Sequence, residues 1–140
     1  MSQLQTAYLK RTVVPDLITL QSAIDALGFK LKIDSFYVPF QAKGFLPCKL
    51  NGKDSGFEIY FESTANVVND FPHLAKEIAD RDAAISFRWG GDMSECACVL
   101  IVSAALAKSF DAIIHYQDDD ILYKTDQLIN EAKLAVKMAK

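Results

Sequence analysis

The sequence predicts a single α+β domain over residues 1–140, with a mixed, mainly antiparallel sheet, N- and C-terminal helices and a long buried helix at about 92–109. Three observations carry this. "GFEIYFE" (56–62) alternates apolar Phe57, Ile59 and Phe61 with Glu58, Tyr60 and Glu62, the period of a strand with one buried and one wet face. Residues 96–107 are apolar except for Ser103, the pattern of a helix covered on every side. No repeat, low-complexity tract or linker interrupts the 140 residues, which match the usual size of one domain.

The elements follow in order. Residues 2–12 extend the next helix or form a separate turn, and Pro15 places a break near Val14. Pro15 and Asp16 suit the first turn of a helix whose Leu17, Leu20, Ile24 and Leu27 share one face, with Gly28 as its stop. "FKLKI" (29–33) alternates as a strand, and "FYVPF" (36–40) is β-rich, although Pro39 assigns it to an edge or a bulge. "FLPCKL" and "FEIYFES" flank the turn-rich "NGKDSG" as a hairpin. After "STANVVND", Asp70 as N-cap and Pro72 in the first turn predict a short helix over 71–80.

"AAISFRW" (83–89) reads as a strand ended by Gly90 and Gly91. Asp92 then opens the long helix, with Glu95 three residues on in an acidic variant of the capping box. "AIIHY" (112–116) is a strand, "QDDD" a turn and "ILYK" a short last strand. Thr125 caps a final helix to residue 139, which turns Leu128, Ile129, Ala132, Leu134 and Val136 to the core. The β-α-β unit over 83–116 predicts two strands side by side joined by a right-handed crossover.

The composition narrows the function. A net charge of −3 argues against nucleic-acid binding, which needs a basic face, and suits a basic protein partner. Three cysteines, an odd number, suit a reducing compartment. "MSQLQTAYLKR" lacks a basic-then-apolar signal pattern, and residues 96–107 are too few to span a bilayer, so a cytoplasmic protein without a membrane partner is expected.

Chemistry has few footholds. Cys96 and Cys98, two apart in a helix, point about 200° away from each other and cannot share an ion. Cys48 is distant, and neither His73 nor His115 has a nucleophile at recognisable spacing, so His115 reads as a rim histidine. Nucleophile elbows, Walker loops and dinucleotide fingerprints are absent. Catalytic residues, metal ligands and cofactors are therefore all expected to be none. Asp118, Asp119 and Asp120 form either a solvated turn or an acidic patch that steers a basic partner. The Gly-Gly corner would expose helix amides to an anion, but Asp92 and Glu95 already occupy that end. Arg88 and Trp89 alternate on their strand, so one of them faces away from the core. With Tyr116 and Tyr123 beside the acidic turn, they complete a candidate partner-binding set.

With "ISFRWGGD", a buried helix and "IIHYQDDDILYKTDQLINEA", the chain resembles small bacterial immunity proteins paired with polymorphic toxins of the contact-dependent or type VI kind. The resemblance implies a stoichiometric inhibitor of a cognate toxin domain, and it carries over no catalytic residues. The alternatives are a small hydrolase or transferase working near the RWGGD corner, and a ligand-sensing adaptor domain.

Overall fold

A computed structural model describes residues 2–139. It is the expected α+β fold, built on one seven-stranded sheet in which every pairing is antiparallel. The strands are β1 (Gln3–Leu9), β2 (Leu31–Ile33), β3 (Gly44–Leu50), β4 (Lys53–Ser63), β5 (Ala83–Trp89), β6 (Ile113–Tyr116) and β7 (Ile121–Tyr123). Their order across the sheet is β2-β3-β4-β5-β1-β6-β7. The helices are α1 (Leu17–Ala26), α2 (Thr64–Val68), α3 (Ala75–Ile78), α4 (Met93–Ser109) and α5 (Thr125–Met138).

The largest departure from expectation is β1. Residues 3–9 are neither helix nor turn but an interior strand, paired with β5 on one side and β6 on the other. It also separates the two strands of the β5-α4-β6 unit, which therefore do not lie side by side. The alternation signal is missing because polar side chains face inward on both sides of the strand. Gln5 donates from Nε2 to Ser103 Oγ of α4 at 2.7 Å, and Thr6 accepts from Gln117 Nε2, also at 2.7 Å. Hydrogen-bonded in this way, buried polar groups lose most of their desolvation cost.

Side-chain alternation then builds two cores. Ala7, Leu9, Phe57, Ile59, Ile85, Phe87 and Ile114 face α1, α4 and α5 in the main core. Tyr8 and Ala84 face the opposite way, into a smaller cluster with Val67, Leu74 and Ile78 of the α2–α3 segment. Those short helices cover only part of the second face. Beyond them, Phe45 on β3 is 54% exposed.

Several local details differ from the sequence reading for identifiable reasons. Residues 36–40 form no strand: Phe40 has φ 66°, and the Tyr37 hydroxyl donates to the Pro15 carbonyl at 2.8 Å. The hairpin loop is only Asn51-Gly52, whose φ values of 52° and 81° suit a type I′ turn, so Lys53–Ser55 continue β4. The expected 71–80 helix is a 3₁₀ turn at Pro72–Leu74 followed by α3, and Phe71 rather than Asp70 takes the cap position. Part of the segment read as its leading connector is α2. Asp16 caps α1 through Thr19 N at 2.8 Å, whereas Lys124, not Thr125, is the cap position of α5. Leu134 points outward, 58% exposed.

Ala97 through Leu106 of α4 are all buried, between the sheet on one side and α1 and α5 on the other. Ile101, fully buried, is therefore a direct test of this packing. Ile101→Asp should cost more than about 4 kcal/mol by burying an unpaired charge, and thermal denaturation should show no cooperative native transition. A melting temperature within a degree or two of the parent would contradict the assignment.

Candidate functional site

The seven residues singled out by the sequence come from the central strand β5, from β6 and β7 and from the turn between those two, and alternation divides the strand residues between the two faces of the sheet. Trp89, Tyr116 and Tyr123 point toward α4 and α5 and form an aromatic row, with ring centroids 6.3 Å apart at each step. Trp89 is only 4% exposed, so it is a packing residue and not the surface anchor expected. Tyr116 donates from its hydroxyl to Gln3 Oε1 at 2.8 Å, which ties β6 to the start of β1. Burial raises the Tyr116 hydroxyl pKa and pushes that of Tyr123 up to about 12.

Arg88 lies on the other face, in a groove of about 500 Å³ whose lining extends to Gln117, just before the three aspartates. In the sheet ladder Arg88 stands between Glu58 of β4 and Leu4 of β1. Its neighbours in the groove are Glu58, Tyr60 and Glu62, the wet face of β4, while Asn66, Val67 and Asp70 from α2 and the turn after it form the opposite wall. Three carboxylates and one guanidinium thus line the same groove. Tyr60 donates its phenol hydrogen to Glu58, which raises the tyrosine pKa and fixes the carboxylate. Leu4 and Gln117 close the end toward the acidic turn, and Asp118 Oδ2 accepts from Leu4 N at 3.3 Å. Asp118 and Asp119 are exposed, and both lie close enough to Tyr116, on the main-core face, to help raise its hydroxyl pKa.

Asp120 has a different role. Its Oδ1 contacts Nε2 of His115 at 2.8 Å and its Oδ2 contacts Nε2 of His73 at 2.8 Å, in a turn where Asp120 itself has φ 54°. The other ring nitrogen of His115, Nδ1, meets the Tyr8 hydroxyl at 3.1 Å, and the Phe71 ring stands edge-on at 4.6 Å. His115 is 0% exposed, not the rim residue expected. Burial lowers its pKa despite the pull of Asp120, and the hydrogen bond from His115 in turn lowers the Asp120 pKa. Tyr8 and Asp120 occupy both ring nitrogens, and neither Tyr8 nor His115 is exposed to solvent.

The RWGGD corner is closed by its own side chains. Asp92 Oδ1 accepts from Ser94 N at 2.9 Å and caps α4. Glu95 reaches back to Gly90 N at 3.2 Å, two residues before the Asp92 amide that a capping box would use. A second concavity, about 640 Å³, lies beside this cap between the β3–β4 hairpin and the end of α5, with Lys53, Asp54 and Asp92 on its walls. Cys48 and Cys98 are buried in the main core and Cys96 packs at its margin. No group of three or more His, Cys, Asp or Glu side chains among the described residues is placed to hold a metal ion. No helix among those residues is long and apolar enough to cross a membrane.

Comparison with protein-family models, with curated proteins and with solved structures gave no match. The groove's carboxylates are the residues that sequence reasoning passed over. Glu58 and Glu62 were visible as the wet positions of "GFEIYFE", but only the sheet order reveals that Arg88 lies beside them.

Trp89 is the chain's single tryptophan, so its environment can be read directly. Its emission should be blue-shifted from that of free tryptophan and resist iodide quenching in the native state, and Trp89→Ala should cost about 3–5 kcal/mol as a core truncation. Red-shifted, freely quenched emission would return Trp89 to the surface.

Proposed function

We propose that this chain is a non-catalytic binding protein, an immunity protein that neutralises a cognate toxin domain by holding it in a stoichiometric complex. The observation that carries the reading is the groove on the second sheet face. Its carboxylates come from a paired strand and from the turn that follows a short helix, an ordered frame that would lose little entropy when a partner docks. Glu58, Glu62 and Asp70 in the groove would present one sign of charge to an incoming lysine- or arginine-rich surface, and the exposed Asp118 and Asp119 of the β6–β7 turn would add to the same field. Arg88 at the centre gives the groove a point of discrimination, since it rewards a partner carboxylate at one place only. Tyr60 supplies an aromatic contact of the kind that anchors interfaces. Trp89, Tyr116 and Tyr123 support this surface from beneath and do not form it. Asp120 is likewise a structural member of the turn.

The test is a kinetic binding assay with the toxin domain encoded by the neighbouring gene, at two salt concentrations. Replacing Glu58, Glu62 and Asp70 by their amides should slow association about tenfold at low salt, with the defect shrinking as salt rises. Asp118→Asn with Asp119→Asn should act in the same direction more weakly. Unchanged kinetics in both variants would remove this face from the interface. No binding to that domain, together with no protection in cells, would overturn the immunity reading itself.

A further inference from the structure

We propose that Tyr8, His115, Asp120 and His73 form a proton-operated latch that holds the 71–74 turn and the acidic β6–β7 turn closed against the sheet. Four side chains from four segments are joined in one line. The contacts are Tyr8 hydroxyl to Nδ1 of His115 at 3.1 Å, Nε2 of His115 to Asp120 at 2.8 Å, and the second Asp120 oxygen to Nε2 of His73 at 2.8 Å. Valence fixes the hydrogens. An ionised carboxylate only accepts, so His115 Nε2 carries the hydrogen and Nδ1 keeps the lone pair that receives the Tyr8 O–H. The neutral ring satisfies both partners.

A proton added to Nδ1 removes that acceptor. The Tyr8 hydroxyl, on a residue 0% exposed, can then only accept from the ring, its own hydrogen loses its acceptor, and a charged ring sits in a buried site. The groups facing His115 are few: Tyr8 from β1, Asp120 from the β6–β7 turn, and His73 and Phe71 from the 71–74 turn, with Glu62 of β4 acting on Tyr8 across the face. Burial outweighs Asp120's attraction and keeps the His115 pKa below the ordinary imidazole value. An opened latch therefore takes up the proton more readily than a closed one. Closure is complete above the ordinary imidazole range, about pH 6.5, and weakens up to about tenfold per pH unit below it until the closed ring itself protonates. Asp120, with its pKa held low by the His115 hydrogen bond, stays charged through that window. Gln117, which lines the groove, belongs to the same turn, so opening would shift that end of the groove. That consequence rests on the partner-binding reading, whereas the latch does not.

Nuclear magnetic resonance on the full chain tests it. At pH 7.5 the His115 ring nitrogens should report the Nε2–H tautomer. The Leu74 amide, bonded to the Phe71 carbonyl, should exchange through a local opening, with less protection than Ile101. Its protection factor should fall as the pH is lowered below about 6.5, by up to about tenfold per pH unit. Asp120→Asn, which keeps an acceptor for Nε2–H but loses the charge, should lower Leu74 protection about tenfold at pH 7.5. An Nδ1–H tautomer, Leu74 protection equal to that of Ile101, or protection flat from pH 7.5 to 5.5 would each overturn the latch, and all three are read on the unaltered protein.

Discussion

Everything in this molecule hangs on the pairing of β1 with two strands at once. Its seven residues match β5 from Gln3↔Trp89 to Leu9↔Ala83, and four of them match β6 on the other edge. Without β1 the sheet would fall into a four-stranded piece and a two-stranded piece, since β5 and β6 touch only through it. The same strand delivers one side chain after another to opposite cores. Gln5, Ala7 and Leu9 go under α4, while Thr6 and Tyr8 go to the second face.

Polar contacts along this strand set its register. Gln5 finds Ser103, Thr6 finds Ser86 and Gln117, and Tyr8 finds His115. A slip of two residues would keep the apolar alternation roughly intact but leave these groups unpaired, at about 1–3 kcal/mol for each buried donor or acceptor. The groove is a by-product of the same arrangement. α2 and α3 are too short to cover the whole second face, so the polar side of β4 and Arg88 of β5 remain open beside them.

The legible parts of the chain were those whose burial is one-sided or complete. β5 and α4 could be read to within a residue, since an apolar run bounded by Gly90-Gly91 and capped by Asp92 leaves little choice. The β3–β4 hairpin was legible too, but "NGKDSG" concealed how tight its turn is. β1 was not legible, because "QLQTAYL" places glutamine and threonine indoors and their partners lie about 80 to 110 residues away. The site fared likewise. Arg88 and the acidic turn could be picked out as types, whereas the division of Arg88 from Trp89 between faces, the groove carboxylates and the role of Asp120 all depend on strand order, a long-range property.

Native-state hydrogen exchange is the most direct measure of the interior position of β1. With β5 and β6 as neighbours, the backbone amides of Thr6, Ala7 and Tyr8 should fall in the slowest-exchanging class together with those of Val99 to Ala105 in α4. Exchange of Thr6 to Tyr8 at the rate of a fraying terminus, with α4 still protected, would contradict the central strand and with it the two-faced architecture built on it.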